Sequence, residues 1–216
     1  MPTIAVFGAT GRTGLLLVQK ALDRGYRVNV LVRDPQKIDI EHNRLEVHPG
    51  NVLDPVRVSQ TMEGADGVIS LIGHDRNSPP DLQTRATMHI INAMRQFGVR
   101  RLVSITAGAV RDQIHDRPGL TDHAIVFIMK YLAGAVVRNA LQDGINHAEL
   151  IKRTSLDWTI VRAPVLTDDA PKGTYRVGYV GTIKGVRLTR ADLAEFIMTE
   201  YEQGQFIGKL PFVTNG

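Results

Sequence analysis

At 216 residues, with 43% hydrophobic and 22% charged residues, the chain has the length and composition of one globular α/β domain with a sizeable core, and not those of a disordered segment. It contains no cysteine, which excludes disulfides, thiolate nucleophiles, iron–sulfur clusters and cysteine-bound zinc. The formal charge of +4 and a pI near 9.5 arise from Lys and Arg scattered along the chain, a pattern that favours small anionic ligands over nucleic acid.

The first predicted strand, Thr3-Ile-Ala-Val-Phe7, starts within two residues of the N-terminus and leaves no room for a signal peptide. No apolar run reaches membrane-spanning length, so a cytoplasmic protein without a membrane segment is expected. The strand runs into glycines spaced Gly8-x-x-Gly11-x-x-Gly14, and a helical stretch from Thr13 to Arg24 follows at once. Unpartnered N–H groups and the positive end of a helix dipole make such a turn a seat for a pyrophosphate. Gly8 permits the turn, Gly11 the approach of phosphate to the backbone, and Gly14 close packing of helix on strand.

A second strand over Arg27–Val32 completes a βαβ unit, and Asp34-Pro35 ends it. Leu45–His48 reads as a third strand, Asp54-Pro55 as the start of a helix to Met62, and the glycine-bounded run Gly67–Gly73 as a central buried strand. A longer helix to about Phe97 and a strand over Val99–Ile105 follow. This alternation predicts an α/β Rossmann-like doubly wound parallel sheet, whose ligands lie beyond the carboxyl ends of the strands. Candidate functional residues are therefore Gly8 to Thr13, Arg33, Asn51, Ile72 to Asp75 and Ser104 to Thr106.

The irregular stretch Ala107–Thr121 is expected to form a loop or lid, closed by Asp122 as the cap of an apolar helix over His123–Val136. That helix packs either over the active site or against a second subunit. A helix over Asn146–Thr154 leads to the sixth strand, Leu156–Arg162. After Ala163-Pro164 come a Gly-rich stretch, a helix over Arg190–Glu202 capped by Thr189, and a closing strand Lys209–Val213. A single domain spanning residues 1–216 is expected, with residues of roughly 107–146 and 167–189 forming lid and substrate-lobe insertions.

Phe7-Gly-Ala-Thr-Gly-Arg-Thr-Gly14, Leu31-Val-Arg-Asp34, Gly50-Asn-Val-Leu-Asp54, Gly64-Ala-Asp-Gly-Val-Ile69 and Leu156-Asp-Trp-Thr-Ile-Val-Arg-Ala-Pro164 stand in one order along most of the chain. Together they resemble the atypical short-chain dehydrogenase/reductase superfamily, in its NmrA-like and biliverdin-IXβ reductase (flavin reductase)-like branch. The resemblance implies that Gly8, Thr10, Gly11, Arg12 and Thr13 hold the pyrophosphate of an NAD(P) cofactor, that Arg33 meets the adenosine 2′-phosphate, and that Asn51 and Val52 flank the adenine. It implies that Leu71, Ile72 and Gly73 line the ribose, and that Ser104, Ile105 and Thr106, with Ala163, Pro164, Val165 and Leu166, surround the nicotinamide. A guanidinium at Arg33 attracts a phosphate where a carboxylate would accept from ribose hydroxyls, so NADP (as NADPH) is favoured over NAD, which Asp34 would read.

The chain departs from the superfamily in lacking Tyr-x-x-x-Lys: Tyr131 is followed at the fourth position by Ala135, Tyr175 by Tyr179 and Tyr201 by Gln205. The classical carbonyl–alcohol chemistry is thereby disfavoured. Reductases whose acceptor takes a hydride and draws its proton from solvent remain, with a flavin, a quinone or a linear tetrapyrrole as the small-molecule substrate. Val165 stands where the biliverdin reductase-like enzymes carry a histidine, which leaves the acceptor open. Ser104 is the candidate catalytic polar group. The seven histidines show no metal-ligand spacing, and no metal is expected. A monomer or homodimer that binds neither membrane nor nucleic acid is expected. The other reading is a non-catalytic NmrA-like protein that senses the NADP redox state.

Overall fold

The computed structural model describes residues 1–75 and 77–216. Its elements in chain order are β1 (Thr3–Phe7), α1 (Arg12–Asp23), β2 (Arg27–Val32), β3 (Leu45–Pro49), α2 (Pro55–Met62), β4 (Gly67–Ser70), α3 (Leu82–Phe97) and β5 (Arg101–Ala107). Then follow α4 (Leu120–Tyr131), α5 (Gly134–Lys152), β6 (Asp157–Ala163), β7 (Val165–Thr167), β8 (Arg176–Gly178), β9 (Arg187–Thr189), α6 (Arg190–Gln203) and β10 (Phe212–Thr214). Eight strands form one sheet in the order β3-β2-β1-β4-β5-β6-β10-β8. All neighbours in it are parallel except β10 and β8. This is the expected Rossmann-like fold, and its strand order reverses between β1 and β4, the place where such sheets open a crevice.

The alternation of β1 divides the core. Ile4 and Val6 face the layer of α1 and α6, where Leu17, Leu193 and Ile197 are wholly buried. Ala5 and Phe7 face the layer of α2, α3 and α5, with Met62, Met94 and Ile151. Trp158 belongs to this second core. Helix ends follow the sequence signals: the Asp54 carboxylate accepts from Val56 and Arg57 N–H at α2, the Thr189 hydroxyl accepts from Asp192 N–H at α6, and Gly98 closes α3 at φ +70°.

One expectation fails locally. In place of a helix over 123–136 and another over 146–154, the chain forms α4 and then a long α5, bent from one another by 116°. Gly134, at φ +78°, turns the chain there, and Gly119 rather than Asp122 caps α4. No residue of α4 is buried, although Ile125, Phe127 and Ile128 lie on it. Among the described residues no single helix is long and apolar enough to cross a membrane.

Candidate functional site

The glycine turn is built as its spacing requires. Gly8 sits at φ +87°, and a Cβ there would lie 2.7 Å from the Leu71 carbonyl carbon. A Cβ on Gly14 would collide with the Gly8 and Ala9 carbonyl oxygens, so α1 can press onto the end of β1 only with glycine at this position. Gly11 caps α1 without a side-chain bond, and no acidic residue stands in the first turn, which leaves the helix N-terminus open to an anion.

Around this turn lies a cleft of 310 Å³. It brings together Gly8, Thr10, Gly11, Arg33, Asn51, Val52, Leu71, Ile72 and Gly73 of the sequence candidates, with Lys37, His74 and Asp75 beside them. Arg33 and Lys37 both line the cleft. The carboxylate of the neighbouring Asp34 accepts from Gln36 N–H at 3.1 Å and caps a short 3-10 turn over Pro35–Lys37. Arg33 is mostly exposed and, among the described residues, makes a single long ion pair, 3.5 Å, with Asp75. Arg12 is turned towards Asp168, which Arg190 also engages. Thr13 is buried in the first turn of α1.

A second cavity, of 320 Å³, lies beyond the carboxyl ends of β5 and β6, beside Phe212 at the start of β10. Its walls include Ala107, Val126, Met129, Ala163, Pro164, Val165, Val186 and Phe212, and its lining is predominantly apolar. Of the residues expected around the nicotinamide, Ala163, Pro164 and Val165 line this cavity, whereas Ser104, Ile105, Thr106 and Leu166 line neither space. Because the strands are parallel and adjacent, the glycine-turn cleft and the apolar cavity open along one edge of the sheet.

Ser104 does not end β5 at the crevice. The strand runs on to Ala107, so Ser104 lies at its middle and is 1% exposed. Its Oγ is 3.1 Å from His147 Nε2 and 3.5 Å from the Ser70 carbonyl, and Thr87 Oγ1 lies 2.6 Å from His147 Nδ1. Burial pushes the His147 imidazole down to about 4. A neutral ring joins the two hydroxyls, one nitrogen accepting and the other donating. Nearer the strand end, Thr106 Oγ1 is buried and has no hydrogen-bond partner among the described residues.

Four charged residues that sequence reasoning passed over shape the site. Asp143, one turn before His147 on α5, accepts from Gln83 N–H at 2.6 Å and Thr84 N–H at 3.0 Å, thereby capping α3 from another helix. Its Oδ2 is also 2.7 Å from His74 Nε2, beside the cleft. Gln83 then donates to the carbonyls of Ile72 and Ile105, tying the ends of β4 and β5 together. Arg162, wholly buried in β6, pairs with Asp116 of the loop between β5 and α4, and Arg111 lines the apolar cavity. The Asp–His spacing of four on the buried face of α5 and an arginine inside an apolar strand were the available signals.

A family profile described as NAD(P)H-binding matches residues 8–203. A UPF0659 protein of Schizosaccharomyces pombe is 27% identical over 227 residues, covering 100% of this chain and 91% of that protein. Among solved structures, a protein from Lactobacillus casei superposes with a TM-score of 0.82 at 21% identity, over 99% of each chain. A wide-type short-chain dehydrogenase/reductase from Veillonella parvula, solved in complex with NADP, superposes with a TM-score of 0.78 at 16% identity, over 99% of this chain and 94% of that one.

Proposed function

Because this chain belongs to the NAD(P)H-binding family, we propose that it is an NADPH-dependent reductase that transfers a hydride to a flavin, quinone or linear tetrapyrrole-like acceptor. The observation that carries the reading is the opening of the apolar cavity on the same edge of the sheet as the glycine-turn cleft. A dinucleotide laid along that edge ends where an apolar acceptor can stack, and proximity then does most of the work. The residues present fit such a cofactor: Gly8 and Gly14, where a Cβ would strike the Leu71 backbone and the Gly8 and Ala9 carbonyls, keep the turn tight, and the α1 N-terminus has no side-chain cap. A dinucleotide held there would supply the hydride from its dihydronicotinamide.

In this reading Gly8, Thr10 and Gly11 receive the pyrophosphate, Thr13 contributes its backbone N–H, and Arg12 leaves Asp168 to join them. Arg33 and Lys37 meet the 2′-phosphate, supported by the engagement of Asp34 with Gln36; the phosphate would displace the Asp75 carboxylate from its long, 3.5 Å pair with Arg33. Asn51 and Val52 flank the adenine. Ser104 acts from within, fixing β5 through His147, and the buried Thr106 hydroxyl, without a hydrogen-bond partner among the described residues, lies against Gly144 of α5. The apolar walls exclude water from the acceptor, whose proton comes from solvent at the cavity mouth. The chain works as one domain, with the 107–146 and 167–189 insertions forming the lid and substrate lobe.

One observation favours a second reading. The exposed apolar face of α4 suits a protein partner, as a non-catalytic NADP redox sensor requires. Measuring NADPH oxidation with FMN, a quinone and biliverdin separates the two. Turnover with any of them supports the reductase; tight cofactor binding without turnover supports the sensor.

A further inference from the structure

Arg111 stands four residues past the end of β5, in the loop that leads to α4, and lines the apolar cavity. Its Nη2 donates to the backbone carbonyl of Asp122 at 2.7 Å. Three carboxylates lie near it in sequence or space, and each is engaged elsewhere. Asp112 accepts from Ile114 N–H and pairs with His115, Asp116 is held by Arg162, and the Asp122 carboxylate accepts from Gly119 N–H. Among the described residues no carboxylate is within ion-pair distance of Arg111. A guanidinium with spare donors thus sits on the wall of a cavity lined mainly by apolar residues, from Val126 and Met129 to Val165 and Phe212; the other charged residue of the described lining is Asp122, whose carboxylate is engaged by Gly119 N–H. Charge in such surroundings attracts an opposite charge more strongly than it does in water.

We propose that Arg111 selects the acceptor. The cavity takes an aromatic or otherwise apolar molecule that carries a terminal carboxylate or phosphate, its body against the apolar walls and its anion paired with the guanidinium. The word acceptor rests on the reductase reading; the binding preference does not require turnover.

The test titrates the full chain, saturated with NADP in phosphate-free buffer, with two matched pairs of probes: FMN and riboflavin, then 2-naphthoate and naphthalene-2-carboxamide. The anionic member of at least one pair binds about tenfold to a hundredfold more tightly, the span of one charge-assisted hydrogen-bonded pair. Arg111→Gln keeps a donor for the Asp122 carbonyl, so its melting temperature stays near that of the parent while the preference disappears. Arg111→Lys restores most of it. Equal binding within both pairs, binding of none of the four, or a preference that survives in Arg111→Gln overturns the proposal. A preference without NADPH oxidation keeps the role of Arg111 and refutes the reductase; oxidation of NADPH without a preference does the reverse.

Discussion

Arg162 and Asp116 meet in a two-pronged ion pair, Nη1 to Oδ2 at 2.7 Å and Nη2 to Oδ1 at 2.8 Å, with Arg162 wholly out of contact with solvent. The pair joins the loop between β5 and α4 to β6, and further bonds hold both groups: Arg162 donates to the Val110 and Leu210 carbonyls, and Asp116 accepts from Asp112 and Val180 N–H. Removing one partner strands the other charge in the core. Asp116→Ala is expected to lower unfolding stability by about 3–5 kcal/mol in urea titration. Adding Arg162→Met to that variant recovers much of the loss. A drop below about 1 kcal/mol for Asp116→Ala would mean that water reaches the arginine.

His147 gives stability a defined slope with pH. Its folded-state value of about 4 lies below the unfolded value of 6.5, because burial disfavours the imidazolium. The unfolded chain therefore takes up this proton first as the pH falls. The contribution is intact above pH 6.5 and is lost as the pH drops towards 4, amounting to about 2 kcal/mol between pH 7 and pH 5. Urea unfolding at those two pH values reads it directly. His147→Gln removes this part of the slope, and a variant as acid-sensitive as the parent would contradict the assignment.

Arg33 and Asp34 have been given opposite tasks by neighbouring positions. Arg33→Ala is expected to lower the preference for NADPH over NADH by about tenfold or more in equilibrium titration. Asp34→Ala leaves that ratio nearly unchanged, since its carboxylate caps a turn. Equal affinity for both cofactors in the parent, unaltered in Arg33→Ala, contradicts the NADP choice.

Gly14→Ala places a methyl group against the Gly8 and Ala9 carbonyls. The turn and α1 must separate, at a cost of about 1–3 kcal/mol in stability. Cofactor affinity should fall with it, because the same turn holds the pyrophosphate. Calorimetric titration alongside thermal unfolding reports both effects; unchanged cofactor binding in a stably folded variant counts against the cradle.

The parts of this molecule that are local in sequence were legible in it. Strand, glycine turn and helix occupy adjacent residues, so their spacing carried the geometry of Gly8 and Gly14, and the caps at Asp54 and Thr189 needed only their own neighbours. What spacing could not convey was pairing across long loops. The α3 cap comes from Asp143, about 60 residues away, and the partner of Ser104 is His147 on α5. Strand length mattered too: with β5 assumed to stop at Ile105, Ser104 was expected at the crevice, and two more residues of pairing with β6 place it inside. The apolar run around Val126 carried no information about its cover, and the left-handed Gly134 that bends it resembled an ordinary helical glycine.

Hydride transfer at the sheet edge onto which both cavities open is read out by following an isotope from cofactor to acceptor. NADPH carrying deuterium at its reactive C4 position is incubated with the full chain and FMN, a quinone or biliverdin, and the product is analysed by mass spectrometry or NMR. Enzyme-dependent oxidation of NADPH is expected to deliver the deuterium to a reduced tetrapyrrole, or to release it to water through a rapidly exchanging reduced flavin or quinol, with a primary isotope effect on a chemically limited step. Tight binding of the deuterated cofactor with no oxidation by any of the three acceptors would contradict it.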